Sequence, residues 1–270
     1  MAAAEVDAAR QRMRMTLGVI AAVVIGVIAV VLLSRSDDDP TETTTEPAGA
    51  DDAAATDDAA AEPDATTGGC PAEDGSSPRT IDFAGPQPMC IDPAQTHVAV
   101  FDTSEGEVRV TLDSANTPGT VNNFVTLARW GYYDGTTIHR TDPSIDIIQG
   151  GSPRTEDAAD PGPGYTIADE PQFETDGGGN PVNGPYRYEP GQLVMARSRG
   201  TDSGGAQYFF STGPNTALLD GQGIYVVFGE TDDAGLGVLQ QIIGLHEPSG
   251  PLGGAPSRTV TINSVTIEVS

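Results

Sequence analysis

Residues 117–140 read TPGTVNNFVTLARWGYYDGTTIHR, and the change of pattern inside this stretch decides the fold. Pro118 suits a first helical turn, where its fixed φ is pre-organised and its missing N–H would have no partner. Val121, Phe124, Val125 and Ala128 then recur at helical spacing, and Gly131 ends the run. The β-prone TTIHR follows at once. An amphipathic helix leading directly into a strand is therefore expected.

Upstream, HVAVFDT (97–103) and EGEVRVTL (105–112) alternate apolar and polar residues around Gly106, the pattern of an antiparallel hairpin. Downstream come IDIIQGG (145–151), GQLVMARS (191–198), AQYFFST (206–212) and IYVVFGE (224–230), each bounded by Gly, Pro or Asp. A second helix is expected from about Ala234 to Ile243, and TVTINSVTIEV (259–269) closes the chain as a strand. Many short strands with two helices predict a mainly β fold, a closed barrel capped by helices. The Gly- and Pro-rich segment from Ser152 to Pro190 is too long for a simple turn and has the character of a connection that surrounds a binding site. DGGGN and PLGG lack a strand-to-helix context for a phosphate loop and are expected as turns.

The first third of the chain differs in kind. Met15 to Leu33 is uncharged and apolar, and at about 1.5 Å per residue it would span roughly 28 Å, enough to cross a bilayer. Arg10, Arg12 and Arg14 precede it and only Arg35 follows before three aspartates, which predicts a cytoplasmic N-terminus, residues 1–14. The flank LLSRSDDD has no small-x-small cleavage pattern, so residues 15–33 are expected as an uncleaved transmembrane signal anchor. Everything beyond would lie outside the cell membrane. Residues 34–69 are rich in Asp, Glu, Thr, Ala and Pro, with too little apolar surface to offset ordering entropy, and predict a disordered acidic linker. Residues 70–95 form an N-terminal extension before the folded domain, 96–270. Its Cys70 and Cys90 are the only cysteines, and outside the cell they are expected to pair, contributing about 3 kcal/mol on the loop-entropy scale.

The formal charge is −26, and all 13 basic residues are Arg. Nucleic acid is excluded as a natural partner for want of a basic footprint, and a lysine nucleophile or Schiff base is excluded outright. His97, His139 and His246 stand apart from any Cys or carboxylate cluster, which argues against a metal site.

Taken in order and spacing, residues 117–140, then IIQGG, LVMARS, SGGAQYFFST and LLDGQGIYVVFGE resemble the cyclophilin family of prolyl isomerases, over roughly Val98 to Val269. The resemblance implies an eight-stranded antiparallel barrel closed by two helices. It also implies a peptidyl-prolyl cis/trans isomerase that assists folding of extracytoplasmic proteins, monomeric and without cofactor or metal. Carried over by position, the catalytic arginine falls on Arg140, its glutamine partner on Gln149 and the phenylalanine beneath the proline ring on Phe209. The substrate-binding set falls on Ile145, Ile147, Ala196, Arg197, Ser198, Gln207, Leu218, Leu219 and Tyr225. The chain departs from the family at four places. There is one additional residue between Arg140 and Gln149, which puts Ile145 or Asp146 where an aromatic is frequent. Arg197 replaces an Asn, Leu218 a Trp and Tyr225 a His.

The chemistry suits these residue types. Amide resonance sets a barrier of about 18–20 kcal/mol to X-Pro rotation, and no bond need be made or broken. A catalyst has only to favour the twisted state, whose pyramidal prolyl nitrogen gains a lone pair. Arg140 would donate to it from a permanently charged planar fork held by Gln149. In isolation an Arg on a strand is ordinarily a solvated or ion-paired residue, and Phe209 or Phe210 would ordinarily be core. The alternative on the same fold is a proline-peptide binding module or chaperone without turnover.

Overall fold

The computed structural model describes residues 69–198 and 200–270. The expected cytoplasmic segment, anchor and nearly all of the acidic linker lie outside the described residues, among which no helix is long and apolar enough to cross a membrane.

The folded part begins with the expected hairpin, β1 (His97–Thr103) and β2 (Gly106–Leu112), followed by α1 (Pro118–Arg129). Then come β3 (Thr136–Thr137), β4 (Arg140–Asp142) and β5 (Ile147–Gly150). A small separate hairpin follows, β6 (Glu174–Thr175) and β7 (Pro181–Asn183), with DGGGN at its turn. The main sheet resumes with β8 (Gln192–Arg197) and β9 (Gly204–Ser211), a 3-10 helix over Pro214–Leu219, and β10 (Val227–Thr231). The chain ends with α2 (Asp233–Ile243), β11 (His246–Gly250), β12 (Gly253–Pro256) and β13 (Thr261–Val269).

Among the described residues one sheet of eleven strands runs β11-β12-β4-β5-β9-β8-β10-β2-β1-β13-β3. It is antiparallel and curled into a half-barrel whose two end strands do not pair, not the closed barrel of eight strands that was expected. The difference originates in TTIHR, expected as one strand. Thr136 and Thr137 pair with β13, Arg140 to Asp142 pair with β5, and the chain changes partner at Ile138 and His139. There the Ile138 N–H donates to the Val260 carbonyl and the His139 N–H to that of Gln149. The β11–β12 hairpin, absent from the expectation, extends the sheet beyond β4, with Pro251 and Leu252 at its turn.

The concave core is aromatic. Phe124 of α1 stacks on Tyr133 at 5.0 Å, and Phe101 of β1 meets Phe210 of β9 edge-on at 5.2 Å. Phe124, Tyr133, Tyr208 and Phe228 are fully buried, and each such side chain contributes about 1.5–3 kcal/mol by removal from water. Alternation along β9 sends Tyr208 and Phe210 into this core while Phe209 joins a second cluster with Ile147, Tyr188 and Val194 on the other face.

The helix ends show how the connections are tied down. Asp232 caps α2 by accepting from the Gly235 N–H at 2.9 Å. Thr117 makes no such bond for α1. Instead Glu170, from the long connection, accepts from the backbone N–H groups of Gly119 (3.0 Å) and Thr120 (2.7 Å) and from the Thr120 hydroxyl. A carboxylate there satisfies orphan donors and the positive end of the helix dipole together. The N-terminal extension carries the expected Cys70–Cys90 disulfide and is fastened along α1. Asn122 accepts from the Cys90 N–H and donates to Pro88, the Thr80 N–H donates to Trp130, and Phe83 packs edge-on against the Trp130 ring.

Candidate active site

Three neighbouring strands place the site. Register pairs Arg140 of β4 with Gln149 of β5, Gln149 with Phe209 of β9, and Phe209 with Val194 of β8. Side chains of directly paired residues lie on one face, so Arg140, Gln149 and Phe209 stand in a row across the sheet. They open onto a cleft of about 460 Å³. Ile145, Ile147, Ala196, Arg197, Ser198, Gln207, Leu219 and Tyr225 also line it, with Ala158–Thr166 of the long connection supplying much of the facing wall.

The polar side of the cleft is a chain of side-chain hydrogen bonds. Arg140 Nη1 donates to Gln149 Oε1 at 3.1 Å, Gln149 Nε2 donates to Gln207 Oε1 at 2.9 Å, and Gln207 Nε2 donates to the Ala158 carbonyl at 3.4 Å. Gln207 lies two residues before Phe209 on β9, which puts both on the cleft face. The apolar side is formed by Phe209, which meets Tyr225 edge-on at 5.6 Å, with Ile147, Ile145 and Leu219 around it. A small apolar floor beside an anchored guanidinium can hold a compact ring and donate hydrogen bonds above it.

Most residues expected at the site are brought together here, with one correction and one refinement. Leu218 is 69 % exposed and does not line the cleft. It sits on the 3-10 helix next to Leu219, and that helix turns only one of the two adjacent leucines toward Phe209. Arg197 lines the cleft, but its guanidinium is folded inward, 5.3 Å over the Phe173 ring and 3.7 Å from Asp169, and only 4 % of its side chain is exposed. Burial holds the Asp169 carboxyl above the usual carboxylate range even with Arg197 nearby. The Ala196–Ser198 segment therefore offers its backbone and small side chains to the cleft while Arg197 fastens it to the long connection.

The additional residue between Arg140 and Gln149 falls in the turn after β4. Asp146 takes a left-handed conformation (φ 48°) and turns away from the cleft, its carboxylate accepting from the Asn215 N–H and its carbonyl from the Thr212 N–H. Ile145, not Asp146, is left in the cleft wall.

Two contacts on Arg140 escaped the sequence reading. Its Nη2 donates to Asp142 Oδ2 at 2.9 Å and its Nε donates to the Leu252 carbonyl at 2.7 Å. Asp142 was legible in principle, two residues along the same strand and so on the same side as Arg140. Leu252 was not, because it arrives on a hairpin more than a hundred residues later. His139, on the opposite side of the strand, has both ring nitrogens buried without partners. Burial pushes its imidazole down to about 4, with the Arg140 charge acting in the same direction and Asp157 opposing it.

The model for the cyclophilin type peptidyl-prolyl cis-trans isomerase/CLD family matches residues 98–267. The chain belongs to the cyclophilin-type family. Among curated cyclophilin-type relatives, it is 34 % identical over 180 residues to "Probable peptidyl-prolyl cis-trans isomerase B" of Mycobacterium tuberculosis, a match covering 66 % of this chain and 56 % of that protein. It is 42 % identical over 113 residues to peptidyl-prolyl cis-trans isomerase B of Bacillus subtilis, covering 42 % of this chain and 67 % of that one. A solved cyclophilin-type isomerase of Cryptosporidium parvum, crystallised in the presence of the dipeptide Ala-Pro, is similar at 23 % identity and a TM-score of 0.46, covering 63 % of this chain and 98 % of that chain. The chain thus spans little more than half the length of the mycobacterial cyclophilin-type relative.

Proposed function

We propose that this cyclophilin-type protein catalyses cis/trans isomerisation of X-Pro bonds in proteins outside the cytoplasm. The observation that carries the reading is the row Arg140–Gln149–Phe209 across one face of three paired strands, with a guanidinium anchored beside an apolar floor. Phe209, Ile147 and Leu219 receive the proline ring by burial of its apolar surface. The guanidinium has N–H groups to spare for the prolyl nitrogen as it turns pyramidal, and this bond is stronger in the twisted state than in the planar one. The carbonyl of the preceding residue swings while the ring stays held. No proton is transferred and no covalent intermediate forms.

Residues 15–33 serve in this reading as a single-pass membrane anchor with residues 1–14 in the cytoplasm, and the acidic linker as a spacer that lets a monomeric catalytic domain reach emerging chains. The sequence pattern of an apolar run between arginines and an acidic tract supports this placement.

The test is the exchange rate of an Ala-Pro peptide, followed by NMR, with the full-length protein and with Arg140→Ala. The wild type accelerates exchange, and the variant loses about 10²–10³-fold, the usual cost of removing one transition-state donor. Peptide binding without acceleration by the wild type would replace the enzyme with a proline-peptide binding module. Full turnover by Arg140→Ala would remove Arg140 from the mechanism.

A further inference from the structure

Asp142 is almost fully buried, and its carboxylate is paired with the guanidinium of Arg140, which lines the cleft. Both of its oxygens are committed. Oδ2 accepts from Arg140 Nη2, while Oδ1 accepts from the Ser144 N–H at 3.1 Å and from the Ser144 hydroxyl. A carboxylate gripped at both ends cannot swing with solvent, so it is a fixed reference for whatever it holds.

What it holds is one corner of a planar group with five N–H donors. Three acceptors surround that group, each on a different nitrogen: the Leu252 carbonyl on Nε, Gln149 Oε1 on Nη1 and Asp142 Oδ2 on Nη2. Three contacts on three nitrogens define a plane, and they leave one N–H on each terminal nitrogen uncommitted. Without Asp142, two contacts remain along one edge and the plane can tilt about it.

We propose that Asp142 is a positioning residue for catalysis, which orients the Arg140 guanidinium so that an uncommitted N–H of a terminal nitrogen faces the prolyl nitrogen of the twisted amide. The proposal rests on the isomerase reading of this cleft. Asp142 touches no substrate. Its contribution is pre-organisation, and a misdirected donor costs rate in the twisted state while binding of the planar ground state is untouched. Strand geometry makes the arrangement economical, because Thr141 between the two points inward, where its hydroxyl meets His246 Nδ1 at 2.7 Å.

The experiment compares full-length wild type, Asp142→Ala and Asp142→Asn on a neutral Ala-Pro peptide, measuring kcat and KM separately. Asp142→Ala lowers kcat about tenfold and leaves KM within about twofold, the split expected when an interaction made only in the transition state is lost. Asp142→Asn, which keeps an oxygen acceptor of the same shape, recovers most of the rate. Unchanged kcat in Asp142→Ala overturns the proposal, and so does a raised KM at constant kcat, which would make Asp142 a substrate contact. A second readout does not depend on turnover. In ¹⁵N NMR the two Arg140 Nη groups give separate signals in the wild type and in Asp142→Asn, and averaged signals in Asp142→Ala. Averaged signals in the wild type also overturn it. Failure of the wild type to accelerate exchange would count against the isomerase reading, whereas an active wild type with an indifferent Asp142→Ala would count against this inference alone.

Discussion

The two faces of β9 differ by a single step along the chain. Tyr208 and Phe210 are packed among rings of β1, α1 and β10 in the concave core, while Gln207 and Phe209 face a cleft floored by a much smaller cluster. One face is a buried, largely aromatic core. The other combines a hydrogen-bonded chain from Asp142 through Arg140, Gln149 and Gln207 with an apolar floor. Rigidity on the first face makes geometry possible on the second, so neighbouring residues on one strand answer to different measurements.

The sharpest way to break that comparison is to truncate adjacent faces of the same strand. Phe210→Ala should cost about 3–5 kcal/mol in urea unfolding, the usual range for a buried aromatic. Gln207→Ala should change stability by less than about 1 kcal/mol while lowering turnover severalfold, because it releases Gln149. Equal stability losses would mean that the faces are not separate.

His139 tests the inner side of the strand that carries Arg140. Its folded-state imidazole titrates near 4, below the ordinary value of 6.5, so the unfolded chain binds a proton in that window and the folded one does not. The stabilising contribution is complete above pH 6.5 and is lost as pH falls toward 4, in total about 3 kcal/mol. A His139→Phe variant should show a flatter stability profile than the wild type between pH 4 and 6.5. Parallel profiles would mean that the imidazole is not held neutral.

Glu170 links the wall of the cleft to the core helix. Glu170→Ala should destabilise the fold by about 1 kcal/mol through the lost cap of α1, as read from thermal unfolding. The smallest effect is expected at the rim. Leu218→Ala should leave turnover of an Ala-Pro peptide within about twofold, as an exposed surface substitution does, while Leu219→Ala raises KM. A raised KM in Leu218→Ala would extend the binding surface beyond the cleft.

Much of this was legible from periodicity and motif. Local pattern located α1, α2, the β1–β2 hairpin and the runs that became β5, β8, β9 and β10, because helical and strand spacing reflect which side of each element must be dry. Alternation already put Gln207 and Phe209 on one face and Tyr208 and Phe210 on the other, and the family resemblance assigned the first face to the cleft. What local pattern could not give was the partner change at Ile138 and His139 or the β11–β12 hairpin, whose HEPSG and GGAP carry little apolar alternation. Leu218 and Leu219 were indistinguishable in sequence, since only the placement of the 3-10 helix turns one of them inward.

The sequence by itself determined the identity of the chemical groups, their strand-by-strand order and the faces they occupy, since each follows from short-range backbone geometry and motif spacing. Only the tertiary structure decided that Arg140 is held on three nitrogens, that Arg197 turns inward to Asp169 and Phe173, and that Glu170 caps a helix some fifty residues away. These contacts depend on the curvature of the whole sheet and the path of the long connection, which no local window of residues encodes.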